Sequence, residues 1–266
     1  MFETSVVLIR VCILARMFNL VIIVLMNLWV YPLLLAWTLI GSLIALPASL
    51  VWRLATGWPT AKIMHLFVWI YGRGCILIMR PFIRLEYKGL QREYLPCPGI
   101  LVVNHCSFFD TYMLCMLPVF DAHICLRSWP FRMFWYSIFM RLAEYLDLER
   151  SSWEQTLTDV ARVTQSDRYL VMFPEGHRSR TGKPMRFYSG AFKLAVQLKV
   201  PILPLCITGT QTLLPPKRWW LRPARIQLQL LKPVFPDSYH GQVAHIQMRQ
   251  DVYRQMIDAI QQMERP

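Results

Sequence analysis

The sequence predicts a mixed α/β fold: a largely parallel sheet flanked by helices, carrying an N-terminal hydrophobic helical membrane anchor. Three observations predict it. From residue 84 to 235, short apolar runs alternate with segments of helical periodicity, the pattern of parallel strands joined by crossover helices. Residues 17–52 carry no charged side chain and lie between Arg16 and Arg53, where one spanning helix needs about 20 apolar residues. The chain is 55% apolar with mean hydropathy +0.33, above the roughly 45–50% of soluble domains, and the excess is mostly N-terminal. These place an anchor over residues 1–62 and an α/β domain over residues 63–266.

Pro32, Gly41 and Pro47 interrupt the charge-free stretch, which is long for one span and short for two. It reads either as one long helix or as a hairpin dipping into one leaflet. A cleaved signal peptide is disfavoured by Glu3 in the would-be basic region and by the length of the run. Arg10 and Arg16 on one side balance Arg53 and Lys62 on the other, so the positive-inside rule does not orient it. Residues 63–83 are apolar and aromatic around Arg73 and Arg80: a packing helix of the domain, or an interfacial helix whose arginines reach lipid phosphate.

A formal charge of +13 and a pI near 9.7 call for an anionic partner surface. No zinc-finger or RNA-binding pattern accompanies the charge, and the basic residues are scattered among apolar segments, so the partner is membrane phospholipid and not nucleic acid. Seven cysteines without a C-x-x-C pair argue against a disulfide framework and for a reducing compartment. His105, Cys106 and Cys115 lack paired zinc-ligand spacing, so no metal is expected. Cys106 reads as a small buried thiol.

In order along the chain, Arg84 to Lys88 alternates and ends on Gly89, an edge strand and turn. Pro96 to Gly99 is a loop into an apolar strand ending at Val103. A short helix, Thr111 to Leu117, is closed by Pro118, and His123 to Leu126 is the next strand. Trp129 to Leu142, rich in aromatics and Met, reads as core with one side free to shape an apolar groove. Ser152 caps a helix to Gln165, with Gln155 completing a capping-box pattern. After the Thr181–Pro184 turn, a helix spans Phe187 to Lys199, with Gly190 and Ala191 near its start offering amides to an anion. Val200 to Ile207 and Arg225 to Leu231 are strands. Between them, Pro215 to Arg222 joins Trp and Arg in a loop suited to a membrane surface. Val243 to Met263 is a closing amphipathic helix.

Two strand ends carry chemistry. After Gly99–Val103 come Asn104 and His105, with Asp110 five residues on. On a regular helix that spacing separates side chains by about 140°, and on a strand it sends them to opposite faces. The pair meets only if His105 sits at the strand end and Asp110 opens the next helix, where a carboxylate can fix one imidazole nitrogen while the other faces substrate. That is the base half of a Ser-His-Asp triad, the hydroxyl being supplied by substrate. The second strand end is Leu170-Val171-Met172-Phe173-Pro174-Glu175-Gly176-His177-Arg178-Ser179-Arg180.

Asn104-His105-x4-Asp110 followed by Phe173-Pro174-Glu175-Gly176-x-Arg178-Ser179 resembles the glycerolipid acyltransferases of the 1-acylglycerol-3-phosphate acyltransferase type, the lysophospholipid acyltransferases with the H-x4-D motif. Leu146-Asp147-Leu148-Glu149-Arg150-Ser151 resembles that family's arginine block, and Val200-Pro201-Ile202-Leu203-Pro204-Leu205 its proline-containing strand. The resemblance covers about residues 84–235 and makes residues 63–266 an acyltransferase domain.

It implies transfer of a fatty acyl group from acyl-CoA or acyl-carrier protein, as co-substrate, to a lysophospholipid acceptor, 1-acyl-sn-glycerol-3-phosphate giving phosphatidic acid. His105 and Asp110 are then catalytic, and Arg150, Glu175, Gly176, Arg178 and Ser179 bind substrate. Arg178 and then Arg150 are the expected phosphate cations, with Glu175 holding an Arg or a backbone amide. Neither metal nor other cofactor is implied, because the thioester is already activated. The active site faces the cytoplasm (the inner membrane, in a bacterium). Two departures bear on the acceptor: His177 replaces the usual Thr, and Tyr188 and Ser189 stand where basic residues often precede Gly190, a role open to Lys183, Arg186 or Lys193. A different lysolipid acceptor, or a non-catalytic lipid-binding protein, are the alternative readings.

Overall fold

The computed structural model describes residues 2–166 and 168–265, with side chains for 13–134, 136–166 and 168–265. Helix α1 runs unbroken from Phe2 to Thr56, through Pro32 and Pro47. A proline removes one backbone hydrogen bond, but with no turn chemistry nearby and apolar residues around it the chain continues as helix. The reversal comes at Gly57, whose φ is +68° and whose N–H closes on the Arg53 carbonyl at 2.9 Å. Helix α2 then spans Thr60–Met79, opening after Pro59.

The hairpin reading of the charge-free stretch is therefore corrected. The antiparallel pair is α1 with α2, and residue 62, the expected boundary, lies in the first turn of α2. Trp37 Nε1 donates to the Tyr71 carbonyl at 2.9 Å, and the Thr38 and Tyr71 hydroxyls meet at 2.8 Å. Gly74 makes the close approach possible, since a Cβ there would stand 2.4 Å from the Trp37 ring. Both helices are long and apolar enough to cross a membrane.

Seven strands form one sheet: β1 (Ile83–Lys88), β2 (Gly99–Val103), β3 (Ala122–Leu126), β4 (Leu146–Asp147), β5 (Tyr169–Met172), β6 (Ile202–Thr208) and β7 (Ala224–Leu230), in the order β1-β7-β6-β2-β5-β3-β4. All neighbours are parallel except β6 with β7. The mixed, largely parallel sheet and the edge position of β1 follow the sequence reading. The remaining helices are α3 (Asp110–Met113), α4 (Phe134–Leu142), α5 (Trp153–Gln165), α6 (Gly190–Leu198), α7 (Thr210–Leu213) and α8 (Ala244–Met263). Ser152 caps α5 as expected, accepting from Gln155 N at 3.2 Å, while the Gln155 side chain turns to Asp159 and leaves the capping box half made.

Period-two alternation sorts the strand residues into two cores. Leu101, Val103 and Val171 face Met113 and the α1–α2 pair through Met26, Val30, Ile76 and Met79. Ile100, Val102 and Leu170 face α5, α6 and α8 through Val160, Phe192 and Met248. Burial on both faces explains why the central strands read as continuous apolar runs. It also leaves the C-terminal ends of β2, β3 and β5 as the place where polar groups gather.

Candidate active site

Asn104, the first residue beyond β2, extends the sheet with its side chain. Its Nδ2 donates to the Ile207 carbonyl and its Oδ1 accepts from Ile207 N, both at 2.8 Å. The chain then turns through Cys106–Phe109 into α3, so His105 stands at a strand end and Asp110 at the start of a helix. Asp110 is fully buried. Its Oδ2 accepts from His105 Nδ1 at 2.9 Å, Cys106 N at 2.6 Å and Ser107 N at 2.8 Å. Its Oδ1 accepts from the Thr210 hydroxyl of α7. One carboxylate thus shapes its own loop and holds the imidazole, leaving His105 Nε2 to face an adjoining cavity. The Phe173 ring packs on the imidazole with centroids 4.2 Å apart.

The loop after β5 grips the backbone of His105 from both sides. Glu175 Oε1 accepts from His105 N at 2.9 Å, and its Oε2 accepts from Met185 N at 3.1 Å. Ser179 N donates to the His105 carbonyl at 2.8 Å. Burial pushes the Glu175 carboxyl up to about 7, against the two backbone donors that pull it down. Glu175 and Ser179 are both buried and neither lines the cavity. The expectation that they contact substrate is corrected: they position His105, Glu175 through a backbone amide and not through an arginine. Gly176, at φ +71°, lines the cavity where the loop turns outward.

The cavity, about 1270 Å³, runs from His105 between α1, α2 and α4, lined by such side chains as Trp37, Phe67, Tyr71 and Phe139. His177, Arg178, Arg180 and Lys217 line its polar part. Among the described residues no carboxylate pairs with Arg178, Arg180 or Lys217. Arg150 is elsewhere. Its side chain is 65% exposed and lies 3.9 Å from Asp147, in the turn before α5 and away from the cavity lining. Arg127, just past β3, lines the cavity in its place and is held by Glu149 at 2.5 Å. Cys106 is buried, and burial with the nearby Asp110 charge pushes its thiol to about 12. Cys115 is turned instead to the Val68 carbonyl on α2, 3.7 Å away, so the His105–Cys106–Cys115 group is not assembled.

The family model described as Acyltransferase matches residues 85–208. The 1-acyl-sn-glycerol-3-phosphate acyltransferase of Saccharomyces cerevisiae is 31% identical over 185 residues, 65% of this chain and 60% of that protein. The Cocos nucifera protein of the same name is 28% identical over 192 residues, covering 68% of this chain and 60% of its own length. Residues 85–208 thus match this acyltransferase family. The crystal structure of the 1-acyl-sn-glycerophosphate acyltransferase PlsC from Thermotoga maritima superposes with a TM-score of 0.76 at 21% identity, over 94% of this chain and 98% of that one. The likeness in fold thus extends beyond the matched domain into the α1–α2 pair. The alignments span about 60% of the length of those two curated relatives.

Several residues of the candidate site have no signal in the sequence. Thr210 lies 100 positions from Asp110, and only Gly209 just past an apolar strand hints at a turn there. Gly209 has φ +86°, and a Cβ on it would fall 1.8 Å from the Arg225 carbonyl oxygen, so no other residue can deliver Thr210 to Asp110. Asn104 was part of the motif, but its bond to β6 had no local signature. Arg180 and Lys217 belonged to basic segments whose direction spacing does not specify.

Proposed function

We propose that this chain transfers a fatty acyl group from an acyl thioester to the free hydroxyl of a lysophospholipid, with 1-acyl-sn-glycerol-3-phosphate as acceptor and phosphatidic acid as product. The observation that carries the reading is the opening of the His105–Asp110 pair onto a cavity that is apolar along α1 and α2 and cationic at Arg178, Arg180 and Lys217. That polarity matches an amphiphile with acyl chains at one end and a phosphate at the other. The names of the Cocos nucifera and Saccharomyces cerevisiae relatives, both 1-acyl-sn-glycerol-3-phosphate acyltransferases, point to the same acceptor.

In the reaction, His105 Nε2 takes the acceptor hydroxyl proton as the oxygen attacks the thioester carbon. Asp110, on Nδ1, holds the ring in the tautomer that leaves Nε2 basic and stabilises the imidazolium that forms. Base catalysis of this kind contributes about 10²–10⁴-fold. The tetrahedral intermediate collapses by breaking the C–S bond, the thiolate recovers the proton from Nε2–H, and His105 returns to neutral. Arg178, with Arg180 and Lys217 beside it, holds the acceptor phosphate, since a planar guanidinium matches phosphate oxygens in a bidentate fork. The donor is acyl-CoA or acyl-carrier protein, both anionic and suited to the chain's positive charge. The protein sits in the membrane through α1 and α2 with the site on the cytoplasmic side.

The test is a labelled acyl-thioester assay on purified full-length protein, with 1-acyl-sn-glycerol-3-phosphate, other lysophospholipids and both donor types. Labelled phosphatidic acid from wild type and none above background from His105→Ala supports the reading. Lipid binding without transfer by wild type overturns it in favour of a non-catalytic lipid-binding protein.

A further inference from the structure

A second polar cluster lies at the far end of the sheet. β3 and β2 both run parallel to β5, and the register sets His123 level with Leu170 and thus with Ile100. His123 is therefore at the start of the sheet, whereas His105 lies beyond its C-terminal edge. His65 on α2 and His123 on β3 are each 1% exposed, and Asp121 immediately precedes β3. The donor atoms of His65, Asp121 and His123 all fall within 4.8 Å of one another.

Two observations point to a bound cation. The first is the hydrogen bonding of His65. Its Nε2 is 2.8 Å from the Ala143 carbonyl oxygen, an acceptor, so Nε2 carries a proton. In the neutral ring Nδ1 then bears a lone pair, yet it faces Asp121 Oδ1, another acceptor, at 2.7 Å. Lone pairs on both sides require something positive between them, a shared proton or a metal ion. The second is His123 Nδ1, which is buried and has no hydrogen-bond partner. An unpaired buried polar atom is destabilising, and an unseen ion is among the few explanations for keeping one.

We propose that His65 Nδ1, His123 Nδ1 and an Asp121 oxygen form a structural binding site for a divalent transition metal, zinc being the best match, that ties α2 to the sheet. Two imidazoles and one carboxylate suit zinc, with a water as the fourth ligand. The surroundings supply the outer contacts such sites have. The Ala143 carbonyl fixes the His65 tautomer, and Tyr145 stacks on its ring at 5.6 Å. Arg168 lies 3.5 Å from Asp121 Oδ2 and holds the carboxylate. A tetrahedral ion with ligands at about 2.0–2.1 Å keeps neighbouring donors about 3.3 Å apart, so loading opens the His65–Asp121 contact by about half an ångström. Because His65 belongs to the helix paired with α1, the ion would set the angle of the membrane pair against the catalytic domain. Its three ligands are spread over residues 65–123, and no local spacing reveals them.

The test uses full-length protein in detergent with any affinity tag removed. Elemental analysis after purification without chelator should give close to one zinc per chain, and added cobalt(II) should give the visible absorption of a tetrahedral site. Chelation should lower the melting temperature of wild type, and zinc should restore it. His123→Gln and Asp121→Asn should each weaken zinc binding at least 100-fold and abolish the chelator-dependent shift. No stoichiometric metal together with no melting shift on zinc addition overturns the proposal, as does unchanged affinity in both variants. If either variant fails to fold, the wild-type chelation and readdition experiment decides alone. A His123→Leu chain that melts above zinc-treated wild type also overturns it, because the orphaned nitrogen is then only a packing cost.

Discussion

Asp110→Asn separates the two tasks of that carboxylate, holding the loop and charging the imidazole. Cys106 N–H and Ser107 N–H both point at Oδ2, at 2.6 and 2.8 Å. In the variant these two donors select the amide oxygen for that position and turn the NH₂ toward Thr210, whose hydroxyl rotates to accept. The oxygen therefore still faces His105 Nδ1–H, and the productive tautomer survives. This differs from the aspartate-to-asparagine change in a serine protease triad, where the wrong tautomer accompanies a loss of about 10⁴-fold. What disappears is a full negative charge 2.9 Å from the imidazolium of the transition state. At an effective dielectric of about 20 that interaction is about 6 kcal/mol, and the amide dipole restores roughly a third to a half of it. The expected loss in kcat is then about 3–4 kcal/mol, or 10²–10³-fold, with KM for both substrates little changed. The assay is steady-state acyl transfer beside a circular dichroism melt. A loss under threefold in a folded variant refutes charge stabilisation by Asp110. A loss equal to that of His105→Ala in a folded variant refutes the tautomer argument.

Further expectations follow from the same geometry. Thr210→Val removes one donor from a fully buried carboxylate and should lower kcat about tenfold, near 1.4 kcal/mol, read in the same assay. Arg178→Ala should raise KM for the phosphate-bearing acceptor at least tenfold with a smaller change in kcat, and leave KM for the acyl thioester unchanged. Gly209→Ala forces a side chain into the Arg225 carbonyl oxygen and should abolish folded expression, whereas Gly241→Ala, with open space around the same backbone sign, should cost about 1 kcal/mol. Glu175 has a folded pKa near 7, raised from an unfolded value of about 4.3. Its protonated form is favoured in the fold, so the associated stability is complete below about pH 4 and is lost as pH rises through 7. The loss is about 3–4 kcal/mol. Denaturation followed from pH 4 to 8 should show this decline, and Glu175→Gln should flatten it.

How much of this was legible in sequence depends on the distance over which each interaction acts. The His105–Asp110 pair is five residues apart, and geometry left one arrangement in which the two could meet, so the strand end and helix start could be placed before any coordinates. The Glu175 loop is legible as a motif, and the backbone-amide role expected for its carboxylate holds; Ser179, expected against substrate, instead faces inward with its N–H on the carbonyl of residue 105. Arg150 failed for a related reason. An arginine after an apolar segment has the right chemistry for phosphate, but whether it faces the cavity depends on the turn before α5, and there the chain directs it to solvent beside Asp147. The membrane pair shows the opposite limit. Composition marked residues 17–52 as apolar, and prolines suggested where they would fold, but a proline in a uniformly apolar helix does not make a reversal. The reversal needed Gly57 with positive φ followed by Pro59, both outside the stretch that drew attention.

The position of that reversal matters for catalysis. With the turn at residues 57–59, α1 and α2 run side by side, and the cavity they line reaches His105. Under the proposed function, an acyl chain held between them would remain in an environment like the bilayer and would not be drawn into water to react. The cationic residues at the other end would keep the phosphate of that acceptor at the polar boundary. The reacting hydroxyl, only a few bonds from both, is then confined to the narrow zone where His105 Nε2 stands. In this arrangement much of the orientation needed for attack comes from the amphiphile itself, partitioned by polarity. Narrowing the cavity with Gly41→Leu, at an α1 residue that lines it beside Tyr71, should therefore raise KM for long-chain acceptors far more than for short-chain, water-soluble ones. Equal effects on both, measured on folded protein, would show that the helices serve only as an anchor.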